Sequence, residues 1–130
     1  MQGFGLRSGA LASSVAHDSH NIVAVGADDA SLCAAVNSVI RARGGLALAA
    51  GGRELTLPLP VAGIMSADTA ESVARACLEL DCAARELGSG LRAPFMTLSF
   101  MALLVIPRLK LSDRGLFDGD RFGFIPLFAG

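Results

Sequence analysis

The stretch "GLALAAGGRELTLPL" (45–59) limits the fold of this chain more than any other. Gly51 and Gly52 sit between two alternating arms. Leu46, Leu48 and Ala50 lie on the first, and Leu55, Leu57 and Leu59 on the second. Alternation with period two marks strands that turn one face to a core, and paired glycines supply the positive φ angles of a two-residue hairpin turn. Pro58 and Pro60 then end the pairing, because neither has an N–H to give to a ladder. An antiparallel hairpin is thus specified locally, and the other elements must extend it or pack on it.

Two helices follow from periodicity. "DDASLCAAVNSVIRARGG" (28–45) begins with Asp28 or Asp29 as N-cap, whose carboxylate accepts free backbone N–H groups. Leu32, Cys33, Val36, Val39 and Ile40 follow helical spacing and predict its apolar face. Arg41 and Arg43 suit its C-terminal dipole and Gly44 its C-cap. "DTAESVARACLELDCAARELGSG" (68–90) opens on Asp68 and Glu71 at capping-box spacing. Val73, Ala76, Cys77, Leu80, Ala84 and Leu87 line one face, and Gly88 and Gly90 stop it. "GALASSVAHD" (9–18) and "NIVAVGA" (21–27) predict two strands, and Pro94 starts a short helix through about Leu103. Val105 to Leu111 reads as a strand, "SDRG" (112–115) as a turn, and "RFGFIPLF" (121–128) as a closing strand. The expected class is α+β: a mixed, mostly antiparallel sheet with helices packed on one face, in a single domain.

A chain of 130 residues holds one domain and can bury a core without staples. Its 52% hydrophobic content sits above the ordinary range, which leaves two readings open: a well-filled core, or apolar surface meant for a partner. With 11 basic against 12 acidic side chains there is no basic field to grip phosphates, and no Trp or Tyr to stack bases, so nucleic acid is not an expected partner. The three cysteines, Cys33, Cys77 and Cys82, are an odd number without a Cys-x-x-Cys pair. They read as buried small hydrophobes in a reducing, cytoplasmic setting. The N-terminal residues lack the apolar centre of a signal peptide. The apolar run 95–106 is too short to span a bilayer, so no membrane contact is expected.

The one dense polar cluster is "SSVAHDSHN" (13–21), which holds both histidines. His17, Asp18 and His20 suggest a metal site, yet zinc sites take three or four protein ligands and no further His exists. Ser14 or Ser19 with a His and Asp18 suggests a nucleophile, yet triads draw their members from separate elements. A polar turn with Asx-type backbone bonds from Asp18 and Asn21 accounts for the same residues. No stretch has the G-x-G-x-x-G or Walker spacing of a phosphate cradle. "GIMS" (63–66) and "APFMTLSF" (93–100) read as core, and "LKLSDRGLFDGDRF" (109–122) as a charged surface turn.

Several stretches together carry more. "GFGLRSGALASSVAHDSHNIVAVG" (3–26), "GGLALAAGGRELTLPLPVAGIMS" (44–66), "PFMTLSFMALLVIPRLKLSDRGLFD" (94–118) and "FGFIPLF" (122–128) resemble, in order and spacing, the C-terminal domain of bacterial-type adenine deaminases. The resemblance implies the amidohydrolase superfamily and the conversion of adenine and water to hypoxanthine and ammonia in purine salvage. It implies a (β/α)₈ barrel with manganese or iron, whose bound water becomes a hydroxide nucleophile. That barrel and its His-x-His motif are absent here. Residues 1–130 are therefore expected to be a C-terminal-like domain, cut at its N-terminal end and inactive alone, with no cofactor of its own. The missing barrel is its expected partner. The resemblance makes His17, Asp18, Ser19, His20 and Asn21 candidates to wall the adenine pocket or brace a metal ligand. The alternative is a non-catalytic domain that self-associates or binds a partner, and a third option is a remnant that still binds purines.

Overall fold

The computed structural model describes residues 1 and 3–128. Four strands form the main sheet: β1 (Ala10–Ser13), β2 (Val23–Gly26), β3 (Gly45–Ala50) and β4 (Arg53–Pro58), in the order β2-β1-β3-β4. All neighbours are antiparallel. The hairpin has the register its alternation predicts, with Leu46 opposite Leu57 and Leu48 opposite Leu55. Gly51 and Gly52 turn it at φ +56° and +82°. Strand β1 is shorter than residues 9–18 because the Ser13 hydroxyl bonds to the N–H and C=O of Val15 and bends the chain out of the sheet.

The α+β class holds, and the helices occupy both faces of this sheet where one was expected. Ala10, Ala12, Ala47 and Ala49 form a small-residue face that packs on α1 (Asp29–Arg41) through Ala35 and Val39. Leu11, Val23, Val25, Leu48 and Leu57 point the other way. They meet Leu80, Ala83 and Ala84 of α2 (Ala70–Glu86) and Phe95 and Leu98 of α3 (Pro94–Ser99). The alanines let α1 approach closely, and this rotates its buried face. Ala35, Ser38 and Val39 are buried, whereas Cys33 is exposed and Ile40 is 56% exposed. A cluster of larger apolar residues is thus overruled by the shape of the surface it would meet. On α2 the expected stripe stands, joined by Ala83.

The helix ends obey local chemistry. Asp28 caps α1 by accepting the Ser31 N–H at 2.8 Å. At the other end the Gly44 N–H reaches Val39 C=O and the Arg43 N–H reaches Ile40 C=O, a Schellman closure with Arg43 at φ +58°. On α2 the cap is Thr69, which accepts the Ser72 N–H, rather than Asp68. The same closure ends α2 at Gly88, with φ +112°. The short helix after Pro94 gives way to a 3₁₀ turn, Phe100–Ala102.

Between the two strands expected over 105–111 and 121–128, where only a turn and charged surface were expected, lies a further strand. Strands β5 (Leu109–Ser112), β6 (Gly115–Asp118) and β7 (Gly123–Ile125) form a second antiparallel sheet in chain order. β6 went unseen because only Leu116 and Phe117 are apolar in it. Phe117 carries it, buried edge-to-face against Phe122 and Phe124. β5 starts at Leu109 rather than Val105, because turn bonds from Leu103 N–H to Phe100 and from Ile106 N–H to Leu103 occupy the segment before it. The closing strand runs over Gly123–Ile125 alone.

Two glycines take backbone geometry that other residues cannot. A Cβ on Gly44 would overlap the Gly63 backbone, and one on Gly45 would overlap the Leu57 carbonyl. Gly44→Ala should lower stability by about 2–4 kcal/mol in chemical denaturation. Gly51→Ala, left-handed but in open space, should cost about 1–2 kcal/mol.

Two carboxyls set an acid limit. The Ser31 N–H bond holds Asp28 below the usual carboxylate range, and the Ser38 hydroxyl does the same for Glu54, helped by Arg41. Groups with depressed folded pKa values add stability above the ordinary carboxylate range, near pH 4, and lose it as the pH falls through the depressed values. Thermal melts from pH 7 downward should therefore show a fall below about pH 4, shallower in the Asp28→Asn, Glu54→Gln double variant.

Candidate functional site: the polar turn and the cavity beside it

The β1–β2 connection begins at an anchored point. The Ser14 hydroxyl accepts the Gly45 N–H at 2.8 Å and donates to the Gly63 carbonyl, and the Ser14 N–H donates to Gly45 C=O at 3.0 Å. Ser14 thereby ties β1, β3 and the 61–65 turn together, and it is 7% exposed. Its hydroxyl is committed to backbone, so it is not a nucleophile poised beside a histidine.

The next residues turn outward. His20 N–H bonds to Ala16 C=O at 2.7 Å, closing a turn in which Asp18 and His20 have φ +66° and +45°. Asp and His tolerate this left-handed region better than branched residues do. His17 docks the turn on the 94–102 segment: its N–H donates to Ser99 C=O at 2.7 Å, and its ring stacks on Phe100 with centroids 5.3 Å apart.

Side chains of the turn form pairs and not one cluster. His17 Nδ1 lies 2.9 Å from Asp18 Oδ1. An ionised carboxylate only accepts, so Nδ1–H is the donor, and the neutral ring presents Nε2 as an acceptor. The Ser19 hydroxyl donates to Asn21 Oδ1 at 3.3 Å. All five residues from His17 to Asn21 are exposed. Neither Ser14 nor Ser19 bonds to a histidine, so no Ser-His-Asp relay forms. Among the described residues no three His, Cys, Asp or Glu side chains come together to hold a metal ion.

The three cysteines sit on helices α1 and α2. Cys33 and Cys82 are exposed rather than buried as expected, and Cys77 is half-buried. Burial, aided by the Asp81 charge, raises the Cys77 thiol above its ordinary value and keeps it protonated. No helix among the described residues is long and apolar enough to cross a membrane.

Next to the turn lies a cavity of about 900 Å³. Its lining comes from Asn21, Ile22, Val23 and Ala24, from Pro107 to Leu111, and from Met1, Met101 and Ala102. Of these only Asn21 stood out in the sequence. The others read as core or plain surface, because a cavity between two sheets leaves no mark on local periodicity.

Fold and turn together define a small α+β domain that presents a docked polar loop beside a cleft, with an incomplete set of metal and catalytic groups among its described residues. The chain belongs to the adenine deaminase C-terminal domain family, whose model matches residues 1–123. It is 61% identical over 130 residues to an adenine deaminase of Salinibacter ruber, covering 99% of this chain and 24% of that protein. It is 52% identical over 130 residues to one of Methanosarcina barkeri, and 56% identical over 129 residues to one of Desulfatibacillum aliphaticivorans, again over 24% and 23% of their lengths. The chain thus spans about a quarter of the curated relatives it matches.

Ser14→Ala should lower stability by about 1–3 kcal/mol, because the Gly45 N–H loses its partner in a buried site. A fluorophosphonate probe should leave the unaltered chain unlabelled at Ser14 and Ser19, as read by intact-mass spectrometry.

Proposed function

We propose that residues 1–130 serve as the C-terminal part of an adenine deaminase whose barrel hydrolyses adenine to hypoxanthine and ammonia. The observation that carries this reading is the family match over 1–123, joined to relatives that bear the name adenine deaminase and match only over about a quarter of their length. The partner is then the barrel, the setting cytoplasmic purine salvage, and the substrate adenine. Among the described residues no three candidate ligands gather. This reading assigns the manganese or iron of the family to the barrel.

Within this reading the His17–Asn21 turn walls the adenine pocket or braces a barrel ligand. Support comes from its outward exposure and from the His17 ring, held by Phe100 and Ser99 with Nε2 left as an acceptor. An acceptor so placed suits a donor such as an exocyclic amine or a ligand imidazole N–H.

The alternative, a self-associating or partner-binding domain, has an observation of its own. Leu109, Leu111, Phe122, Phe124 and Leu127 of the second sheet and its flank are 47–71% exposed. Patches of that kind mark interaction surfaces.

Purified chain given adenine with manganese or iron should show no ammonia release, and metal-dependent turnover by these 130 residues alone would refute the reading. In the full-length Salinibacter relative, alanine at the positions matching His17 and His20 should lower kcat/KM by about 10–100-fold. Unchanged kcat/KM and metal content would remove the turn from the active site.

A further inference from the structure

The cavity is lined by two runs of consecutive residues, Asn21–Ala24 and Pro107–Leu111, which take in Val23 and Ala24 of β2 and Leu109, Lys110 and Leu111 of β5. Side chains of a strand alternate between faces, so a surface that meets every successive residue is an edge and not a face. Both strands are outermost in their sheets: β2 ends the order β2-β1-β3-β4, and β5 ends the order β5-β6-β7.

Hydrogen-bond phase shows what these edges offer. Ala27 N–H bonds to Gly9 C=O, so the bonded pairs between β1 and β2 recur at Leu11/Val25 and Ser13/Val23. Ala24, between them, turns its N–H and C=O away from β1. Gly119 N–H bonds to Arg108 C=O, so Lys110/Phe117 and Ser112/Gly115 are the bonded pairs between β5 and β6. Leu109 and Leu111 then direct their backbone groups away from β6. Their side chains are 54% and 70% exposed. The cavity therefore separates two rows of free backbone donors and acceptors, flanked by Ile22, Met101, Leu109 and Leu111. That is the backbone chemistry an extended strand can pair with.

Met1 lines the same cavity. In the relatives about three quarters of the polypeptide lies outside the matched C-terminal portion, so the residue before the Met1 position starts at this slot. We infer that in the longer enzymes an extended segment of the preceding polypeptide enters between β2 and β5 and bonds to both edges, joining the two sheets into one. This rests on the C-terminal-domain reading above. It supplies the attachment that reading needs: backbone bonds for affinity, and apolar side chains on either side for register.

Amide hydrogen exchange at single-residue resolution tests it, in the 130-residue chain and in the full-length Salinibacter relative. In the chain alone, Val23 and Val25 should be protected and Ala24, Leu109 and Leu111 fast, so the paired amides report that the sheet is folded. In the full-length enzyme the positions matching Ala24, Leu109 and Leu111 should slow by about a hundredfold or more. Fast exchange at those three positions in the full-length enzyme would overturn the inference. Protection in the chain alone that grows with protein concentration would also overturn it, by making a second copy the occupant. Protection that appears in the full-length enzyme only on adding adenine would do the same, by making the slot a small-molecule site. None of these readings depends on turnover, so a failed activity prediction for the polar turn stays separate from a failed slot.

Discussion

Strand β1 has no face toward solvent. Ala10, Leu11, Ala12 and Ser13 are all fully buried, and the strand lies between β2 and β3. Ala10 and Ala12 meet α1, while Leu11 packs toward α2 and α3. Two helical layers converge on four residues, so each must match a different surface. Methyl groups on one side let a helix backbone come close, and a leucine on the other fills the wider gap under two helices. The three-layer order, the rotated face of α1 and the place of the hairpin all depend on this strand.

Where β1 ends, the polar chemistry begins. Ser13 bends the chain through bonds to Val15, and Ser14 pins the bend to Gly45 and Gly63. The close approach of Gly44 to Gly63 holds that junction from the other side. A rigid base of this kind lets exposed residues keep a defined position. The His17 ring, set on Phe100, shows the result. Asn21 belongs both to the turn and to the cavity between the two sheets, so a chain entering that slot would run beside the histidines.

Much of the fold was legible locally. The Gly51-Gly52 hairpin and its register follow from alternation, the ends of α1 and α2 lie within a few residues of their caps and stop signals, and the α2 stripe follows from helical spacing. The site was legible only as a cluster of polar residues between two strands. The stacking of His17 on Phe100 and the commitment of Ser14 to backbone arise from residues 31 to 83 positions apart meeting in space, beyond the reach of any local pattern, whereas His17 pairs with its own neighbour Asp18. β6 was missed for a related reason: a four-residue strand with two apolar residues is stabilised by Phe117 among other phenylalanines and not by its own propensity.

Residue order alone was enough for the class of fold, the antiparallel hairpin, the helices and the kinship with adenine deaminases. Each depends on short-range periodicity, on turn and cap chemistry, or on a run of matched residues. Tertiary structure decided that helices cover both faces, because the alanine face of the sheet accepts only a close, small-residue helix surface. It also decided that the polar turn pairs an imidazole with a carboxylate and docks on Phe100. Finally, it left β2 and β5 with open edges across a cavity, since the direction of a strand's free N–H and C=O groups is set by which neighbours it has.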